Sequence, residues 1–206
     1  MPKNRLEAFS DNVIAFAITL LVLEIRIPDL PSASGDRAMF EGLLSLAPNF
    51  AVYVISFAVC TVWWIAHHTL ISDLHAVYRY LLWANSSFLM WIVFLPCPTG
   101  FLGHHLGQPI PTAFYGLACA LAGFSFWLMR RHASLRDGLM KSEIGRAARL
   151  RRVRISMLSP ALYLTGAILS LRHPIGGLCL YDAIPAFFAA IRLGHPNANG
   201  IPPAQT

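Results

Sequence analysis

The sequence predicts an all-α membrane protein of six spanning helices, and three observations predict it. Of 206 residues, 56% are hydrophobic and only 13% charged, against about 45–50% and about 25% in an ordinary soluble domain. The apolar residues gather into six long runs, and nine of the sixteen basic residues lie together between Arg130 and Arg154. A soluble core of this length needs far more charge to coat it. Disorder is excluded by the same composition, because disordered chains lack the apolar residues to bury.

A bilayer core of about 30 Å needs roughly 20 mostly apolar helical residues. The runs at 13–27, 43–66, 80–98, 112–129, 155–171 and 175–193 approach that length. The first reaches it only if its helix starts near Arg5, with polar residues at its mouth. The fourth carries Gly116, Ala118, Ala120, Ala122 and Gly123, a small-residue surface suited to close helix packing. Only Arg172, His173 and Pro174 separate the fifth and sixth, so these form a tight hairpin. Pro160 and Pro185 interrupt them, which membrane helices tolerate when neighbours satisfy the freed backbone groups. Glu7 and Asp11 precede the first apolar run, whereas a secretory leader starts purely positive.

Orientation follows from Lys and Arg in the short loops. With six spans, Lys3, Arg5, Arg79, the cluster of nine and Arg192 share one side. Both termini are therefore expected in the cytoplasm, with the chain in the inner (plasma) membrane. The apolar flanks of the basic stretch make it a loop rather than a nucleic-acid site. It is expected as an amphipathic linker over 130–154, in part helical, lying on anionic lipid headgroups. Residues 1–195 form one membrane domain, and 196–206 a short polar tail. Cys60, Cys97, Cys119 and Cys179 have no paired spacing and read as buried free thiols.

The block from Arg5 through Phe9, Ser10 and Asp11 leads directly into the first apolar run, which ends at Leu23-Glu24-Ile25. Ionisable groups at the edge of a spanning helix mark a pathway or an internal partner. Helix capping and snorkelling to headgroups explain Arg5, Glu7 and Asp11 equally well. The whole pattern, Arg-x-x-x-Phe-Ser-Asp at the start of a first membrane helix, resembles the transmembrane-protein-175 family of potassium channels. Trp64 with His67 and His68 at the end of the second span, and Asn85 and Pro96 in the third, extend the resemblance.

The resemblance implies a homotetramer whose first helices line a central pore. It implies a constriction of apolar side chains with a threonine layer nearby, in place of the carbonyl-lined filter of ordinary potassium channels. Carried over by position, the constriction falls on Phe16, Leu20 and Leu23 and the threonine on Thr19. The family commonly has a smaller aliphatic residue at the position of Phe16. Phe16, Leu20 and Leu23 are spaced i, i+4, i+7 and share one helix face, which Thr19 adjoins. Arg5, Phe9, Ser10, Asp11, Trp64, His67, His68 and Asn85 then support the pore helix. A hydrogen-bonded cluster of Arg5, Ser10 and Asp11 with Trp64 and one histidine is expected, the other reading of the histidine pair being an interfacial one facing headgroups.

No catalytic motif is present, so the chain is not read as an enzyme. The expected activity is passive, potassium-selective conduction, with protons as a second candidate permeant. No nucleotide, metal or prosthetic group is called for, and the partners are further copies of the chain, potassium ions and membrane lipid. Two alternatives stand beside the channel. A secondary transporter would show internal repeats and polar groups at mid-membrane, which the sequence does not display clearly. A non-conducting scaffold would use the basic linker alone.

Overall fold

The computed structural model describes residues 3–27, 35–136, 138–141 and 144–193, with side chains to 190. The tail 196–206 lies outside them. Eight helices follow in order: α1 Lys3–Leu20, α2 Asp36–Leu44, α3 Ala47–Ser72, α4 Arg79–Phe94, α5 Pro96–His104, α6 Pro109–Leu135, α7 Arg146–Ser170 and α8 Pro174–Leu193. There is no strand among the described residues, only an isolated bridge between Leu74 and Met140. The chain is all-α.

These helices form the six expected apolar stretches. Five stretches are long and apolar enough to cross a membrane: Lys3–Glu24, Asp36–Ser72, Arg79–His104, Pro109–Leu135 and Arg146–Ser170. The sixth stretch, α8, is apolar but shorter over its described part, Pro174–Ala190. The third crossing is two helices, α4 and α5. Pro96 has no N–H to donate, so the helical ladder breaks at Leu95 and restarts. Preceding α3 is α2, a short helix with no buried residue that leaves Phe40, Leu43 and Leu44 exposed.

Two groups of helices pack side by side. In one, α1 lies against α3 and α4; in the other, α6 lies against α7, its most extensive contact, and α8 packs on α7. The α4–α6 contact joins the groups. Small residues set the second group's closeness. A Cβ added at Gly123 would come within 3.2 Å of Pro160 Cδ, and one at Gly116 would collide with the Tyr181 hydroxyl. That hydroxyl donates to Thr112 O at 3.2 Å. The small-residue surface of the fourth span is therefore the seat of α7 and α8.

The basic stretch is helical at both of its ends. Arg130 and Arg131 belong to α6, and Arg146 through Arg154 form the first turns of α7. The connection is correspondingly short, and it is fastened to the loop after α3. His75 N donates to Leu139 O at 2.8 Å and Lys141 N to Asp73 O at 3.0 Å, while Arg152 pairs with Asp73. Hydropathy stops at the first charges, whereas helices run on past the apolar zone wherever backbone bonds remain available. The cysteines also divide: all four are free, but only Cys60 and Cys119 are buried. Cys97 and Cys179 are exposed, which costs little where the outside is hydrocarbon.

Candidate functional site

The first helix has two unlike faces. Leu6, Ser10, Ile14, Ala17 and then Leu21 recur every three or four residues and are buried against α3 and α4. The opposite face is left open by the described residues. Phe9, Thr19 and Val22 are exposed there, Phe16 is 67% exposed and Leu23 68%. Leu20 stands between the faces, half-buried. Of the four residues expected at a constriction, Phe16, Thr19 and Leu23 are thus displayed on one open face, and Leu20 borders it.

At Thr19 the side chain turns back on its own helix. Its Oγ1 donates to Phe16 O at 2.7 Å, a back-bond that loosens the ordinary ladder. Two residues later the chain tightens into a 3-10 turn, Leu21–Glu24, and leaves the helix at Ile25.

Two polar clusters hold the other face near the N-terminal end. The inner one is buried. Ser10 Oγ donates to Leu6 O at 2.9 Å and accepts from Asn85 Nδ2 at 3.0 Å, while His67 Nε2 meets Asn85 Oδ1 at 2.7 Å. His67 stacks on Phe88 with ring centres 5.6 Å apart and 10° between planes. An Nε2–H donor to Asn85 leaves His67 Nδ1 bare, consistent with that buried atom having no hydrogen-bond partner. The network ties α1, α3 and α4 at one level, and low dielectric strengthens each of its bonds.

The outer cluster is half-exposed. Trp64 Nε1 donates to Asp11 Oδ1 at 3.0 Å, and His68 Nδ1 lies 3.3 Å from Glu7 Oε1. Ligand atoms of Glu7, Asp11 and His68 lie within 4.8 Å of one another, a set of two carboxylates and an imidazole that suits a divalent cation. The expected single cluster is therefore two, each holding one histidine. Arg5 joins neither: it is exposed and makes no hydrogen bond or ion pair among the described residues. Phe9 is likewise exposed. Glu7 was missed as a contributor, although its i, i+4 relation to Asp11 puts both acids on one helix face.

A second buried polar layer lies toward the far end of α3. Thr99 Oγ1 donates to Ser56 Oγ at 2.9 Å, and Ser56 Oγ to the Tyr115 hydroxyl at 3.1 Å. It joins α3, α5 and α6, so the bundle is pinned near both ends.

Fold and site together define a multi-pass membrane protein in which one helix is secured by two polar clusters on one face and left open on the other. The sequence model of the family described as endosomal/lysosomal potassium channel TMEM175 matches residues 5–96. A potassium channel of Streptomyces collinus is 34% identical over 155 residues, spanning 71% of this chain and 74% of that one. The endosomal/lysosomal proton channel TMEM175 of Homo sapiens is 35% identical over 101 residues, 47% of this chain and 20% of that longer protein. Among solved structures, a lysosomal potassium-selective channel TMEM175 homolog from Chamaesiphon minutus superposes with a TM-score of 0.81 at 28% identity, covering 92% of this chain and 97% of that one. The chain belongs to the TMEM175 family, a family of ion channels and not of enzymes.

Proposed function

We propose that the chain is a potassium-selective cation channel of the cell's inner membrane, conducting passively through a pore lined by α1 from four identical subunits. The observation that carries this reading is the open face of α1, with Phe16, Thr19 and Leu23 exposed while the opposite face is buried and bonded. Around a four-fold axis that face supplies stacked apolar rings from Phe16, Leu20 and Leu23 and a ring of threonine oxygens. Apolar rings gate by dewetting, and oxygens replace part of an ion's hydration shell. Phe16 is the bulkiest of the rings and the tightest point of the gate. The support residues are Ser10, Asp11, Trp64, His67, His68 and Asn85, with Arg5 and Phe9 at the exposed mouth. Positive charge on the Arg130–Arg154 side supports a cytoplasmic position for that end and for both termini.

Liposome flux tests the reading. Reconstituted protein should pass potassium faster than sodium at zero proton gradient, and chemical cross-linking should stop at tetramers. Saturable, proton-coupled uptake would make it a transporter; absence of any flux would leave a scaffold. Proton flux in potassium-free liposomes addresses the second permeant, which the human relative's name as a proton channel supports.

A further inference from the structure

A cavity of about 580 Å³ lies between α3, α6, α7 and α8, apart from α1. Its walls are apolar: Val59, Trp63, Phe126, Ile155, Tyr163 and Phe188. Its polar end is formed by Arg130, Arg151 and Arg152, and no carboxylate among the described residues lines it. Ile65 at the rim is exposed, so the cleft opens sideways onto the surface that faces lipid.

Depth and charge identify what fits. On α7 the lining runs from Ala148 to Tyr163, and its part from Arg151 to Tyr163 covers about 18 Å of helix at about 1.5 Å per residue. One leaflet of a bilayer core is about 15 Å deep. The arginines therefore sit at headgroup level and Tyr163 near mid-membrane. Arg152 is paired with Asp73 outside the lining, and Arg130 donates to Ala66 O at 3.1 Å and lies over the Phe126 ring. Arg151 is exposed and makes no hydrogen bond or ion pair among the described residues. Among the described residues, three guanidiniums stand against one carboxylate here, which leaves this end positive.

We propose that the cleft binds one anionic phospholipid of the cytoplasmic leaflet per subunit. An acyl chain would lie along Trp63, Tyr163 and Phe188, with its phosphate against Arg151 and Arg152. The site uses the cytoplasmic orientation proposed above but not the identity of the conducted ion. It also differs from a headgroup contact spread along a flat linker, because the apolar and basic parts belong to one cleft between packed helices.

Native mass spectrometry of the full-length protein in detergent tests it, with phosphatidylglycerol, phosphatidylcholine and glycerol 3-phosphate as probes. Phosphatidylglycerol should be retained over phosphatidylcholine, and glycerol 3-phosphate should not be retained. Arg151→Ala should weaken phosphatidylglycerol about fivefold, the effect of one basic residue at an anionic surface. Val62→Trp, which fills the cleft from its half-buried rim, should abolish retention, while Arg136→Ala, outside the cleft, should change nothing. Equal retention of the two lipids, binding of glycerol 3-phosphate alone, or indifference to Val62→Trp overturns the proposal. A larger loss from Arg136→Ala than from Arg151→Ala overturns it in favour of the flat linker. Potassium flux in the same preparations is read separately, so a failed lipid site leaves the channel reading standing and the reverse holds too.

Discussion

The two faces of α1 and of the 3-10 turn that continues it share twenty-two residues and almost nothing else. One face is an ordinary protein interior: Leu6, Ile14, Ala17 and Leu21 are all but inaccessible, and Ser10 is fully bonded. The other has the side chains of an interior, Phe16 and Leu23, left about two-thirds exposed among the described residues. A monomer in lipid would gain little from keeping polar ties on one side only. The difference teaches that the bonded face fixes where the helix stands, which leaves the open face under no packing constraint from the described residues.

Substitutions on each face should separate stability from conduction. Ile14→Ala removes a fully buried side chain between α1 and its neighbours. It should cost about 2–5 kcal/mol, read as a fall in the thermal unfolding midpoint and in the yield of assembled protein. Asn85→Ala should cost less, about 1–3 kcal/mol, because Ser10 and His67 keep their desolvation but lose their partner. The same assay would show it, and Asn85→Asp should not restore it fully, since a carboxylate cannot donate to Ser10. Trp64→Phe deletes one half-exposed hydrogen bond to Asp11 and should cost about 0.5–1.5 kcal/mol. A fall of several kcal/mol there would mean that the outer cluster, not the buried one, fixes the helix.

Phe16→Ala should move stability least, within about 0.5 kcal/mol, yet raise potassium flux in liposomes on the order of tenfold, the rate effect of about 1.4 kcal/mol. Unchanged flux would remove Phe16 from the gate. A large stability loss would instead show that this face is packed in the assembly and not open to the pore.

The comparison also shows what could be read without coordinates. The crossings were legible because apolar runs of about 20 residues have few other uses, and the pattern from Arg5 to Asp11 marked the helix that matters. The division of Trp64, His67 and His68 between two clusters was within reach of helix arithmetic. At about 100° per residue, His68 returns to within about 40° of Trp64, while His67 points elsewhere. What could not be read was partnership across the chain. Ser10 and Asn85 are 75 residues apart, and no local pattern says that their helices meet at that level. The charged start of α7 was hidden for another reason. Hydropathy reports the solvent a segment prefers and is silent on backbone bonding, which continues through Arg146–Arg154.

The back-bond at Thr19 carries one more consequence. Because that hydroxyl spends its only proton on Phe16 O, it can receive hydrogen bonds but not give one. Four such groups around an axis would be a collar of bare oxygens. Chloride arriving there would meet no proton to hold it, and a cation would meet lone pairs from every side. Discrimination by sign of charge would then be built from neutral side chains, separately from any preference among cations.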